Sequence, residues 1–201
     1  MNPAILSSEA KKSNPKKILI FSVLVLLGLN FTSAYIAHTY YSETLLQIQG
    51  PGFWIGMSTF TIMTAIILWN KKIMGWPWSE LGLGKPANWW QPLLIAGGLF
   101  ATMNLFMKYA VPYIVQLGER PSIEHLLDIP GNLPMLIVSL VLVWITAAFL
   151  EELIFRAYLI NVLDRLLGKT LTSAWAAVFI SAVIFGLLHG YKGLTGILLT
   201  G

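Results

Sequence analysis

The feature that most constrains this chain is the run from Leu133 to Leu150, which contains no charged side chain, and a second such run from Leu93 to Met107. Only 11% of the residues are charged and 56% are hydrophobic, against roughly 25% charged in an ordinary soluble domain. So many uncharged faces cannot all be solvated by water, whereas lipid accepts them once backbone polar groups are satisfied within helices. The sequence therefore predicts an all-α polytopic transmembrane bundle.

Five complete spans and the start of a sixth can be read from the hydropathy pattern. They are Ile18 to Ala37, Phe53 to Trp69, Pro92 to Val115, Pro134 to about Leu163, and Leu171 to Leu188, with a last apolar stretch from Gly193 to Gly201. Nine residues are too few to cross a bilayer, so that last stretch reads as a span cut short. Residues 1–17 form a basic tail, residues 18–133 the amino-terminal helices and loops, and residues 134–201 a carboxy-terminal core. The first span is longer than a signal-peptide core and is not followed by a small-x-small cleavage site, so it reads as a retained anchor. The segment 116–131, with Glu119, Arg120, Glu124 and Asp128, suits a short surface helix.

The net charge of +4 does not point to nucleic acid, because it is concentrated at span ends: Lys11, Lys12, Lys16 and Lys17 before the first, Lys71 and Lys72 after the second. Such clusters set orientation, and they predict a cytoplasmic amino terminus with the end of the fourth span on the same side. Trp54, Trp69, Trp89 and Trp90 sit where interfacial anchors are expected. The partners expected are membrane lipids and a membrane-anchored protein or peptide, in a bacterial-type plasma membrane.

Three ionisable residues interrupt the fourth span where apolar ones would cost less: Glu151, Glu152 and Arg156. Glu152 and Arg156 are four apart and share a helix face, so they can pair. Glu151, turned by about 100°, is then free for other work, which favours it as a base. His189 ends the fifth span, four residues after Phe185. With straight helices joined by the turn 164–170, Glu151 and His189 would differ in depth by roughly 9 Å. If they meet, a buried carboxylate and an imidazole can together activate a water for attack on a peptide carbonyl. Gly186 and Gly190 form a step suited to close helix packing. Asn104 and Lys108 share a face of the third span, and His38 and His125 lie in loops with no role assigned.

Other hydrolytic designs fit less well. The chain has no cysteine and no His-Glu-x-x-His run. Asp128 and Asp164 read as loop or interface residues, and Ser58, Ser139, Ser173 and Ser181 lack a Gly-x-Ser-x-Gly elbow. A divalent metal such as zinc on Glu151, Glu152 and His189 stays open and would need a further ligand.

Glu-Glu-x-x-x-Arg at 151–156, followed by Phe-x-x-x-His at 185–189, resembles the first two motifs of the CPBP family. That family comprises CAAX prenyl proteases, bacteriocin-processing enzymes and abortive-infection proteins of the Ras-converting-enzyme-like group. The resemblance implies a multi-helix membrane protease, in whose eukaryotic members the last three residues of prenylated proteins are removed at the cytoplasmic side. It also implies that Glu151 and His189 activate the water, that Glu152 and Arg156 support them, and that Phe185 shapes the substrate pocket. The resemblance further implies a later motif on a following helix, a His and then an Asn or similar residue, which would stabilise the oxyanion and is not found within residues 1–201. The alternative reading is a non-catalytic scaffold or bacteriocin-immunity protein that keeps the family core.

Overall fold

A computed structural model describes residues 14–36, 39–40, 50–118 and 129–201. The expectations for residues 1–13, for His38 and His125, and for the surface helix with Glu119, Arg120, Glu124 and Asp128 fall outside these described residues. Among the described residues the fold is all helical, with five helices long and apolar enough to cross a membrane.

Helix α1 (Pro15–Ile36) begins three residues earlier than the hydropathy suggested. Asn14 is the reason: its side chain accepts from the Lys16 amide at 3.0 Å, and Pro15 supplies a preset φ for the first turn. Helix α2 (Pro51–Met74) also starts on proline, and it ends at Gly75 in the left-handed conformation (φ 65°). Its last turn contains Lys71 and Lys72, favourable for a helix C-terminus. A 3-10 turn, Trp78–Leu81, leads to α3 (Trp90–Tyr109), which breaks at Ala110 before a short α4 (Val111–Ile114). The predicted third span is thus two pieces, because Pro112 cannot donate a backbone hydrogen bond to continue the first.

The fourth span is the longest, α5 (Leu133–Leu167, 35 residues). Asn132 caps it by accepting from the Met135 amide at 3.1 Å. Within it, Thr146–Leu150 and Glu152–Leu159 are wound as π-helix, with Glu151 between them in ordinary helical geometry. Helix α5 extends four residues past the expected end at Leu163 before Gly168 (φ 114°) and Lys169 (φ 55°) reverse the chain. Helix α6 (Leu171–Leu188) starts in a capping box: Thr170 accepts from the Ser173 amide, and Ser173 returns the bond to the Thr170 amide. The Ser173 hydroxyl also donates to Asp164, joining the two sides of the turn. A 3-10 turn, Gly190–Lys192, connects to α7 (Gly193–Thr200).

The core is lopsided. It gathers Leu19, Val23 and Leu26 of α1, Met63 and Ile67 of α2, Trp76 and Leu81 of the following loop, Leu153 to Val162 of α5, and Phe185 and Leu188 of α6. By contrast α3 buries nothing against the rest, and the first half of α5 is largely exposed. These surfaces are apolar, with Leu94, Phe100 and Trp144 all at least 70% exposed, which suits a lipid solvent. The anchors Trp54, Trp69, Trp89 and Trp90 are exposed near helix ends as expected.

Polar side chains lock the core. The Asn70 amide of α2 donates to the Tyr158 hydroxyl of α5 at 2.6 Å, and both residues are fully enclosed. Ser22 of α1, buried in the same core, donates to the Ile18 carbonyl at 2.9 Å. In the loop after α2, Glu80 receives Arg165 and Asn161 of α5, while Arg165 lies over the Trp76 ring at 4.6 Å. The Arg165 guanidinium, bonded to Glu80, holds its carboxyl below the usual carboxylate range; partial burial opposes this and Asn161 adds to it.

Candidate active site

Two rings set the geometry of the acidic segment. Phe155 of α5 meets Phe185 of α6 with centroids 5.0 Å apart, so these two positions share a depth. The Ser181 hydroxyl, one turn earlier on α6, donates to the Phe155 carbonyl at 2.9 Å and holds the crossing. Glu151 precedes Phe155 by four residues, and His189 follows Phe185 by four. In antiparallel helices these offsets point the same way, so both groups stand about one turn beyond the ring contact, toward the same end. The 9 Å mismatch expected from straight helices is therefore corrected. Because α5 continues to Leu167, the turn is centred near Lys169, about 18 residues after Glu151 and about 20 before His189, a mismatch of only about 3 Å.

Glu151 is half-buried, whereas Glu152 and Arg156 point outward with side chains 49% exposed. Glu152 and Arg156 form the ion pair that their spacing predicts, Nη1 to Oε1 at 2.5 Å. The guanidinium also lies over the Phe185 ring at 5.1 Å, which ties the pair to α6. Phe185 itself is buried, packed between Phe155 and the His189 ring at 4.6 Å. It therefore acts on the site by holding the imidazole.

His189 is oriented by its own helix. Nδ1 lies 2.9 Å from the Phe185 carbonyl, which can only accept, so the proton sits on Nδ1. In the neutral ring Nε2 then carries the free lone pair, the form needed to take or relay a proton. No direct hydrogen bond or ion pair joins Glu151 to His189 among the described residues.

Gly186 fulfils the packing role its spacing suggested. A Cβ there would stand 2.7 Å from the Ile197 carbonyl, so only glycine lets α7 lie against α6. That approach brings in a residue the motifs do not contain. Lys192 sits in the turn between the two helices, where its amide donates to the His189 carbonyl at 2.9 Å and its ammonium lies over Tyr191, the ring stacked on the imidazole. Sequence reasoning overlooked it because an isolated lysine three residues after a helix end looks like an interface residue. Asn104 and Lys108 stay away from the site: Asn104 bonds back to the Phe100 carbonyl at 2.7 Å, and Lys108 lies over Tyr109. Asp164 and Ser173 serve the turn.

Among the described residues no three of His, Asp or Glu converge as metal ligands. Glu152 is engaged by Arg156, so Glu151, Glu152 and His189 do not fit a three-ligand site.

Residues 133–201 match the model of the family described as Type II CAAX prenyl endopeptidase Rce1-like. The match begins at the first residue of α5, runs to the end of the sequence, and contains every residue of the site just described. It agrees with the CPBP resemblance carried by the two motifs, and it supports an enzyme, a protease, in a multi-pass membrane chain. No curated protein and no solved structure matches the chain.

Proposed function

We propose that this protein is an intramembrane endopeptidase that hydrolyses a peptide bond within the membrane or near its cytoplasmic side, with Glu151 and His189 activating the water. The observation that supports it most is the Phe155–Phe185 crossing, from which Glu151 and His189 each stand about one turn away toward the same end. Glu151 takes a proton from the water as its oxygen attacks the carbonyl carbon, and the carbonyl π pair moves onto oxygen. Collapse of the tetrahedral intermediate breaks the C–N bond, and the proton reaches the leaving amine through the acid then present at Glu151 or His189. Glu152 and Arg156 hold the acidic segment against Phe185 and keep the second carboxylate ionised.

The substrates are membrane-anchored tails of the CAAX type or a bacteriocin-related peptide, met beside Glu151 of α5 and His189 at the end of α6. This reading takes the amino terminus as cytoplasmic and the membrane as a bacterial-type plasma membrane, on the distribution of lysine and arginine. The test is cleavage of quenched, membrane-anchored peptides, prenylated tails among them, by the full-length protein in liposomes. Loss of about 10²–10⁴ in rate in Glu151→Gln, with no effect of a chelator, is expected for a glutamate base. Chelator sensitivity reversed by a defined metal ion would replace that mechanism by a metal-assisted one. A folded wild type that cuts nothing would leave a scaffold or immunity role as the better account.

A further inference from the structure

The end of α2, the loop after it and the turn between α5 and α6 bring basic residues to one end of the bundle. Lys71 and Lys72 lie in the last turn of α2. The Trp76 amide donates back to the Lys71 carbonyl at 3.0 Å, and the Lys71 ammonium lies 4.2 Å from the Trp78 ring. Arg165, in the last turn of α5, covers the Trp76 ring at 4.6 Å and pairs with Glu80. The Lys169 amide donates to the Asp164 carbonyl at 2.9 Å, which sets Lys169 beside that same turn. The acids here are already engaged, Glu80 by Arg165 and Asp164 by the Ser173 hydroxyl. Lys71, Lys72 and Lys169 therefore have no carboxylate partner among the described residues, and Lys72 and Lys169 are exposed. Two further observations bear on what they meet. Trp69, two residues before Lys71, and Trp78 are both exposed, and exposed tryptophans near span ends mark the headgroup level. Lys169 also holds φ 55°, directly after Gly168 at 114°, a conformation costly for any residue with a Cβ. Glycine would make this turn without strain, so a strained lysine at an exposed tip points to an interaction of its side chain rather than to folding.

We propose that this end of the bundle binds the phosphate headgroup of acidic phospholipids, with Lys71, Lys72 and Lys169 as the donors. The proposal is independent of the proteolytic reading, because Leu167 at the end of α5 lies 16 residues, about 24 Å of helix, from Glu151. A lysine ammonium is a compact point charge on a flexible stem, suited to phosphate oxygens. Three of them, distributed over the end of α2 and the α5–α6 turn and bordered by exposed tryptophans, match a layer of phosphates better than a single soluble anion. A lysine at an acidic membrane surface contributes about fivefold in affinity. Bound lipid would hold the α5–α6 turn in the headgroup layer, and through the length of α5 it would set the depth of the acidic segment.

The experiment is native mass spectrometry of the full-length protein in a mild detergent, titrated with phosphatidylglycerol, phosphatidylserine or phosphatidylcholine. Wild type should hold the two acidic lipids alike and prefer either to phosphatidylcholine by roughly a hundredfold. Lys169→Gly should lower that preference about fivefold while melting no lower than wild type, which separates lost binding from lost folding. Lys169→Arg, which keeps the charge, should keep the preference. The triple variant Lys71→Gln, Lys72→Gln, Lys169→Gly should bind acidic lipid no better than phosphatidylcholine. Lys108→Gln is the control, because Lys108 lies about 27 Å along α3 from Trp90 and removes the same charge elsewhere. An undiminished preference in the triple variant would overturn the proposal. A loss in Lys108→Gln equal to that in Lys169→Gly would also overturn it, since net charge alone would then suffice. Displacement of phosphatidylglycerol from wild type by millimolar inorganic phosphate would assign the lysines to a soluble anion and overturn it as well.

Discussion

Removing the Tyr158 hydroxyl tests whether the acidic helix is held in place by a polar bond inside the membrane. Tyr158 lies seven residues after Glu151 on the same helix and is fully enclosed; Asn70 is 1% exposed and donates to it at 2.6 Å. Tyr158→Phe keeps the ring and its contact with Trp76 (6.2 Å) but leaves the Asn70 amide without its acceptor. In a water-soluble protein such an orphaned donor costs about 1–3 kcal/mol. Inside a bilayer the measured coupling is smaller, about 0.6 kcal/mol on average and about 1.7 at most, because an unfolded span still finds other partners. Tyr158→Phe and Asn70→Leu should each destabilise the protein by about 1 kcal/mol, and the double variant should cost about 0.6–1.7 less than their sum. Reversible unfolding in mixed micelles, followed by circular dichroism as denaturing detergent is titrated, measures all four corners of the cycle. Additivity within about 0.5 kcal/mol would refute the argument, because distant and independent sites behave that way.

Gly186→Ala should destabilise by about 1–3 kcal/mol, since its new methyl meets backbone of α7, whereas Gly190→Ala, with 3.7 Å of clearance, should change the melting temperature little. Lys169→Gly should stabilise by about 0.5–1 kcal/mol, because φ 55° is costly for a residue with a Cβ; thermal melts in one detergent compare it with wild type. Glu80 has a folded pKa below its ordinary 4.5, so its clamp on Arg165 is fully present above that pH and is lost as pH falls through the lower, folded value. Tryptophan fluorescence, with Trp76 and Trp78 as neighbours, should therefore change below about pH 4.5 in wild type and stay flatter in Glu80→Gln.

Much of this was legible because lipid-solvated helices announce themselves by composition. All five spans were found, with errors at ends decided by local chemistry: the Asn14 cap that starts α1 early, Pro112 that splits the third, and Gly168 that stops α5 four residues late. The late stop mattered most, because it moved Glu151 and His189 from mismatched depths to nearly equal ones. The Glu152–Arg156 pair was readable since an i,i+4 relation is local. The Asn70–Tyr158 bond and the Glu80–Arg165 clamp were not readable, because each joins positions far apart in the chain and no periodicity encodes which helices touch. The π winding was equally hidden: the apolar run that forms it looks like any other span.

That winding makes the two sides of the acidic pair unequal toward changes in chain length. A stretch wound i to i+5 holds surplus chain, so losing one residue between Thr146 and Leu150 lets it tighten to the ordinary i to i+4 pattern. Everything from Glu151 to Leu167 would keep its seat against α6, and the rotation would pass into the first half of α5, which presses on little protein. The same loss between Ile160 and Leu167, where the winding is already tight, would swing both glutamates about 100° away from the histidine. The helix thus tolerates a one-residue deletion upstream of its acids better than one in its last turns.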